Sequence, residues 1–204
     1  MIPPILCLAA LSVPLPALTE DEKSKSDPKD SPIQANLSAK KADYEVDLGG
    51  KSAEEVRKQI KDAREPSQYP AAIEVDLALE LKNTGDKEIR IWVEGDQAQL
   101  TLALKGTGAV NTEIKGLLFT QELRAPKVVT LAPGKSHKLE IKKLSYGHRG
   151  ASHRSYWLEA GEYALTASYQ TGVSPPPKDT KDAGEGFGLI TVTSAPLKLK
   201  VKNK

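Results

Sequence analysis

One short segment of the chain concentrates the side chains that most often bind ligands. Residues 145–157 contain two of the three histidines, two arginines and three aromatic side chains. These residues are Tyr146, His148, Arg149, His153, Arg154, Tyr156 and Trp157. Imidazoles bind divalent metal ions, whereas arginine and rigid aromatic side chains bury a large area at low entropy cost when a partner docks. The segment interrupts the strand pattern around it, so we predict a loop here.

Three interpretations of this segment stay open. In the first, its two terminal aromatic residues cover one end of the domain and have a structural role. In the second, the segment recognises a protein or a glycan. In the third, His148 and His153 share a metal ion, which requires a further ligand such as Glu159 or Glu162, because zinc sites use three or four protein ligands.

The sequence contains none of the familiar catalytic motifs. It has no Gly-x-Ser-x-Gly elbow, no His-Glu-x-x-His pair and no phosphate-binding loop. The stretch Gly49–Ser52 resembles the end of such a loop, but Glu45 stands where the motif needs a glycine. Ser136 and His137 are adjacent in a predicted strand and therefore point to opposite faces, which prevents a nucleophile–base pair. We predict a protein that is not an enzyme and needs no cofactor.

A second segment, residues 172–188, is longer than an ordinary hairpin connection. Its three consecutive prolines favour an extended polyproline II conformation, and Phe187 stands between glycines where it can dock back on the domain. Its carboxylates lack the dense alternation of a calcium-binding loop. We interpret the segment as an ordered or mobile connection, and Ser174–Phe187 as the part that a peptidase inhibitor would insert into a protease cleft.

Alternating apolar and polar residues predict the elements that position these segments. The runs are Ile73–Lys82, Ile89–Val93, Leu100–Leu104, Lys127–Leu131, Leu139–Leu144, Tyr163–Tyr169, Leu189–Thr193 and Leu197–Val201, with a shorter candidate at Leu117–Gln121. We expect the first two runs to pair as a hairpin across the turn Asn83–Asp86. Runs spaced by roughly ten residues predict an all-β fold, an immunoglobulin-like antiparallel β-sandwich of about seven to nine strands with one short N-terminal helix.

Two local motifs agree with this fold. Gly161 precedes an alternating strand that begins at Tyr163, and in immunoglobulin-like sandwiches such a tyrosine donates a hydrogen bond back to the preceding corner. Ser52–Glu55 matches a capping box, and three apolar residues follow it at helical spacing. We therefore predict a helix over about Ala53–Arg64 that packs on the edge of the sandwich.

The N-terminal sequence predicts export. Ile2–Leu18 is almost wholly apolar but too short and too rich in proline for a membrane span, so residues 1–18 are predicted to be a signal peptide. Cys7, the single cysteine, lies inside this segment, so the exported chain would have no disulfide. Residues 19–41 are polar, which predicts a disordered linker, and residues 42–204 are predicted to form the sandwich domain with its helix.

The turn sequences resemble those of a known domain type. Asn83–Asp86, Leu131–Gly134 and Ala160–Tyr163 are similar to turns of bacterial immunoglobulin-like domains of the intracellular proteinase inhibitor (BsuPI-like) type. The stretches around Tyr163 and Phe187 also resemble hypothetical secreted proteins of planctomycete-type bacteria. The resemblance covers about Ile73–Val201 and implies the sandwich fold, but it brings no inhibitory motif that can be matched to residues of this chain.

These observations predict an exported, non-catalytic binding or structural module of the bacterial cell envelope, secreted or periplasmic. Its partner is expected to be an envelope or extracellular protein or a glycan, bound through residues 145–157. Nucleic acid is excluded as a partner because the net charge is only +2 and the lysines are dispersed. After removal of the signal peptide no membrane span is expected. Two alternatives stay open, a peptidase inhibitor and a weak metal-binding protein using His148 and His153.

Overall fold

The described residues form an all-β sandwich with one short α-helix, which confirms the predicted fold class. The computed structural model describes residues 31–41, 43–116, 122–148 and 151–204, without the side chain of His148. The strands are β1 (Ile33–Ala39), β2 (Asp43–Val46), β3 (Glu74–Asn83), β4 (Ile89–Trp92), β5 (Gln99–Gly106), β6 (Ala109–Glu113), β7 (Val128–Leu131), β8 (Ser136–Lys143), β9 (Ser145–His148), β10 (Ala151–Trp157), β11 (Gly161–Ser174), β12 (Lys181–Gly184), β13 (Phe187–Thr193) and β14 (Leu197–Asn203). The helix is α1 (Ala53–Asp62), and Pro66–Gln68 form a 3-10 turn.

The largest sheet is built around β11, whose 14 residues pair with two strands along each edge. Along one edge β14 and then β13 pair with it, and along the other edge β5 and then β4 do so. The strand β2 ends this sheet as the parallel partner of β14. Alternation places Leu165, Ala167 and Val173 on the buried face of β11, where each is 0% exposed.

A second sheet, in the order β1-β3-β8, covers that buried face. All of its pairings are antiparallel. Leu77, Leu79 and Leu81 of β3 project from it and are each 0% exposed. Because these leucines alternate with polar residues, one face of β3 lies in the core and the other faces solvent.

A third, smaller sheet in the order β6-β10-β9 holds the helix against the sandwich. The helix uses its single apolar face, with Val56 and Ile60, to form a second core. That core also contains Ala63, Tyr69, Ile114, Tyr156 and Leu158. The predicted packing at the edge of the sandwich is thereby confirmed.

Both local motifs are present. The Ser52 backbone N–H donates to Glu55 Oε2 at 2.7 Å, and the Glu55 N–H donates to Ser52 Oγ at 3.2 Å, which completes the capping box. The helix ends at Asp62, two residues before the predicted Arg64. The Tyr163 hydroxyl donates to the carbonyl oxygen of Glu159 at 2.7 Å, which is the predicted corner bond.

The predicted hairpin between β3 and β4 is wrong. The strand β3 pairs with β1 and β8, whereas β4 pairs with β7 and β11 in the other sheet. The chain passes from one sheet to the other between β3 and β4, and Asn83 fixes it there. This residue is 0% exposed, and its amide donates to the carbonyl oxygens of Lys87 at 2.8 Å and Leu131 at 2.9 Å. Alternation identifies the buried face of a strand but not its neighbour, so the sequence pattern could not separate the two arrangements.

The boundary predicted at residue 41 is also wrong. Residues 33–39 of the supposed linker form β1, with Ile33, Ala35 and Leu37 buried against β3. These three apolar side chains recur at every second residue, which is enough to bury one face of a strand despite polar surroundings. The described residues form fourteen strands rather than seven to nine, because short strands such as β2, β9 and β12 carry too few apolar residues to show alternation. The predicted signal peptide and the candidate strand 117–121 lie outside the described residues.

Candidate functional site

Residues 145–148 and 151–157 form the strands β9 and β10, which pair antiparallel, so the prediction of a loop is wrong for them. Tyr146 lies opposite His153, and their rings stack with centroids 4.9 Å apart and planes inclined by 5°. His148 lies opposite Ala151 through its backbone. Arg149 lies outside the described residues. Polar residues occupy most of this hairpin, so it lacks the apolar alternation by which strands are usually predicted.

Two of the predicted site residues bind the same backbone atom. Arg154 Nη1 donates to the carbonyl oxygen of Pro70 at 2.7 Å, and the Tyr156 hydroxyl donates to it at 2.9 Å. Burial raises the pKa of the Tyr156 hydroxyl above its ordinary value, which already lies well above neutral pH. These two bonds hold the segment that precedes β3 against β10.

Trp157 is part of the core rather than of an exposed recognition surface. It is 2% exposed, and its Nε1 donates to the carbonyl oxygen of Glu45 at 3.3 Å. Its ring packs against Tyr44 and Tyr163 at centroid distances of 5.2 and 6.1 Å. Tyr156 is likewise 2% exposed. For these two residues the prediction of exposed anchors is corrected, and the structural interpretation fits because both rings fill space between elements.

Two of the residues considered for a metal site, His153 and Glu159, have other partners. His153 stacks on Tyr146, and Glu159 Oε1 accepts a hydrogen bond from Arg57 Nη2 at 2.8 Å. Glu162 lies on β11 opposite Lys200. Within the described ranges, no group of three or more histidine, cysteine, aspartate or glutamate residues is arranged to hold a metal ion.

A groove of about 810 Å³ lies between α1, β2 and residues 70–74. We call it the α1–β2 groove. Its apolar lining consists of Tyr44, Leu48, Val56, Ile73, Tyr156, Trp157 and Leu158. The small side chains of Ala71 and Ala72 leave this space open. Two of the predicted site residues, Tyr156 and Trp157, therefore line the groove, but they do not project into solvent as anchors.

Charged side chains surround the groove. Those on its rim are Lys41, Asp43, Glu45, Asp47, Lys51 and Glu74. Lys202 Nζ contacts Asp43 Oδ2 at 2.5 Å and Lys204 Nζ contacts Asp47 Oδ2 at 2.8 Å, and these bonds lower the pKa of both carboxyls. Glu45 and Glu74 are exposed and project from either side of the groove. An apolar floor with a charged rim is the usual lining of a binding cleft.

Residues 172–188 contain parts of three strands and do not form one long irregular connection. The strand β11 continues to Ser174, and β12 and β13 then form a hairpin. The Thr180 hydroxyl donates to the carbonyl oxygen of Pro177 at 2.8 Å. Phe187 is 3% exposed and stacks on Trp92 at a centroid distance of 4.8 Å, which confirms that it docks back on the domain.

No protein-family model matches the chain, and no curated protein matches it either. Within the described ranges, no helix is long and apolar enough to cross a membrane.

Proposed function

We propose that the protein is a non-catalytic binding module of the bacterial cell envelope, which holds an extended segment of a partner protein in the α1–β2 groove. The groove itself is the observation that supports this proposal. Its volume of about 810 Å³ falls in the range of sites that bury most of a ligand, and aromatic and aliphatic side chains form its floor. Export rests on the apolar N-terminal sequence described above.

The form of the groove favours an extended peptide as its occupant. One wall comes from consecutive residues of β2 and the turn after it, and the other from residues 70–74. Two walls of extended chain leave a trough that a third extended segment fits. Tyr44 and Ile73 line it, so a large apolar side chain of the partner would bury its surface there.

The rim carries charges of both signs, since Lys41 and Lys51 stand on it beside the acidic residues, and two of its carboxylates can each pair with a cation of the bound segment. Glu74 and Glu45 are exposed on opposite walls. A lysine or arginine of the bound segment would pair with either carboxylate. Pairs at an exposed rim affect the association rate and the selection of partners more than the affinity.

A peptide selection tests this proposal. Random peptides displayed on phage are selected on the protein, and the enriched sequences are expected to combine a large apolar residue with a lysine or arginine. Synthetic versions of these peptides are then titrated by calorimetry. Ala71→Arg places a long side chain at the groove and should weaken binding by at least about tenfold, which corresponds to about 1.4 kcal/mol.

The matched control is Ala103→Arg, the same change at an exposed position of β5 outside the groove. It should leave peptide affinity unchanged, whereas Glu74→Gln should lower it by a few fold. Selection of no peptide, or of peptides that bind Ala71→Arg as tightly as the native protein, would show that the groove does not hold a partner segment.

A further inference from the structure

The solvent face of the large sheet carries two rows of uncharged polar side chains. In one row Gln170 lies between Gln99 and Thr191, and in the next Ser168 lies between Thr101 and Thr193. Ala167 and Tyr169 point to the buried face, so these neighbours point outward. Charged residues make up 27% of the chain, yet none of these six side chains is charged.

A pocket of about 300 Å³ opens at the end of these rows. Gln97, Gln99 and Gln170 line it with their amides. Its charged residues are Lys181, Asp182 and Asp96, and Asp96 contacts Arg124 at 3.5 Å. Trp92 forms another wall. None of these residues lines the α1–β2 groove.

Trp92 is held rigidly at this pocket. Its ring lies against Gly172, where a Cβ atom would approach ring carbon Cε3 to 2.4 Å, and it stacks on Phe187. Trp92 is 2% exposed, and its Nε1 has no hydrogen-bond partner among the described residues. Because Trp92 packs against Gly172 and Phe187, its ring keeps its place when a ligand fills the pocket beside it.

We infer that this face, from the Trp92 pocket along the two rows, binds a neutral oligosaccharide. Amide and hydroxyl groups both donate and accept hydrogen bonds, as sugar hydroxyl and acetamido groups do. The uncharged rows offer no counter-charge to an ionic polymer, and a purely apolar partner would leave the amides unpaired. Trp92 closes the apolar side of the pocket, beside the amides of Gln97, Gln99 and Gln170.

The dimensions suit a short stretch of a sugar chain. Three adjacent strands span about 10 Å across the sheet, which is close to the length of two sugar rings. The pocket is large enough for one further ring. This site goes beyond the groove of the proposed function and does not depend on it.

The two tryptophans give a direct test, because each lines a different site. In a proton–nitrogen correlation spectrum the protein shows two indole N–H signals, and Trp92→Phe identifies the signal of Trp92 by removing it. Addition of chitotetraose or cellotetraose should shift the Trp92 signal and leave that of Trp157 in place. Tetragalacturonate, which is charged, should shift neither.

Variants then locate the sugar on the face. Gln170→Ala should weaken binding of the neutral tetrasaccharides by at least tenfold. Ala103→Arg, which adds a charge beside the rows, should weaken it by at least the same factor. Gln34→Ala, the same change on the exposed side of β1, is the matched control and should bind like the native protein. Circular dichroism and thermal unfolding establish that each variant is folded.

Two results would overturn the inference. One is the absence of any shift of the Trp92 signal with either neutral tetrasaccharide at millimolar concentration. The other is a shift that persists unchanged in both Gln170→Ala and Ala103→Arg, which would place the sugar elsewhere.

Discussion

At the scale of the residue, the Tyr163 hydroxyl holds the corner before β11. It donates to the carbonyl oxygen of Glu159 at 2.7 Å, and Tyr163 is 2% exposed. Tyr163→Phe keeps the ring but leaves that carbonyl without its donor, so the free energy of unfolding should fall by about 1 kcal/mol. Urea denaturation measures this. Tyr146→Phe, which keeps the stack on His153, is the control for removal of a tyrosine hydroxyl elsewhere; an equal loss in both variants would contradict the role of the corner bond.

The residue types of β10 did not reveal how deeply its aromatic side chains are buried. The aromatic residues of β10 were predicted either to cover the sandwich or to bind a partner, and Tyr156 and Trp157 turn out to line a groove from inside the core. Their partners, Pro70 and Glu45, are 86 and 112 residues away along the chain. A pattern within one segment carries no information about such distant partners.

The same limit applies to Trp92. No motif singled it out, because its environment depends on Gly172 and Phe187, which lie on other strands. The only local signal was Phe187 between glycines, which correctly indicated docking. Neither the groove nor the Trp92 pocket could therefore be predicted from the sequence, because each forms only when distant strands pack together.

At the scale of the element, substitutions in β1 test whether residues 33–39 belong to the folded domain. Leu37 is 6% exposed and packs in the main core. Leu37→Ala should lower the free energy of unfolding by about 2–4 kcal/mol, because removal of a buried side chain loses transfer energy and leaves a cavity. The neighbouring exposed Ser38→Ala should cost less than about 0.5 kcal/mol. If both variants unfold at the same urea concentration as the native protein, β1 contributes nothing to the fold.

Elements with strong alternation were the ones that could be predicted. The strand β3 and the capped helix α1 were found because their patterns are local. Strand partners were not, since β3 and β4 have the alternation of a hairpin but belong to different sheets. Short polar strands such as β9 were not predicted, because they have no apolar face.

At the scale of the whole molecule, a charge network joins β3 and β8 of the second sheet to Lys40, the residue that follows β1. Asp76 Oδ1 lies 3.0 Å from Lys142 Nζ and 3.6 Å from Lys40 Nζ, and Lys40 also contacts Glu140. The hydrogen bonds from these lysines lower the pKa of the Asp76 and Glu140 carboxyls. A carboxyl whose pKa is lower in the folded state stabilises the fold above its unfolded pKa, and this stabilisation is lost as the pH falls through the folded pKa.

We therefore expect the urea midpoint to be constant near neutral pH and to fall below about pH 4, where unfolded carboxyls begin to protonate. Asp76→Asn should reduce the slope of this fall, whereas Asp86→Asn, in the exposed turn after β3, should not. Urea titrations between about pH 3 and pH 7 measure both effects. A midpoint that rises on acidification would contradict the sign of the pKa changes.

We propose that the α1–β2 groove holds a partner segment, and the chemical shift of the Trp157 indole N–H measures directly whether the groove is occupied. Trp157 lines the groove, and its Nε1 donates to the carbonyl oxygen of Glu45 on the β2 wall. When a selected peptide is added to the nitrogen-labelled protein, we expect the Trp157 signal to shift and the Trp92 signal to stay, and we expect Ala71→Arg to abolish the shift. A Trp157 signal that does not move at saturating peptide, or movement of the Trp92 signal alone, would contradict this proposal.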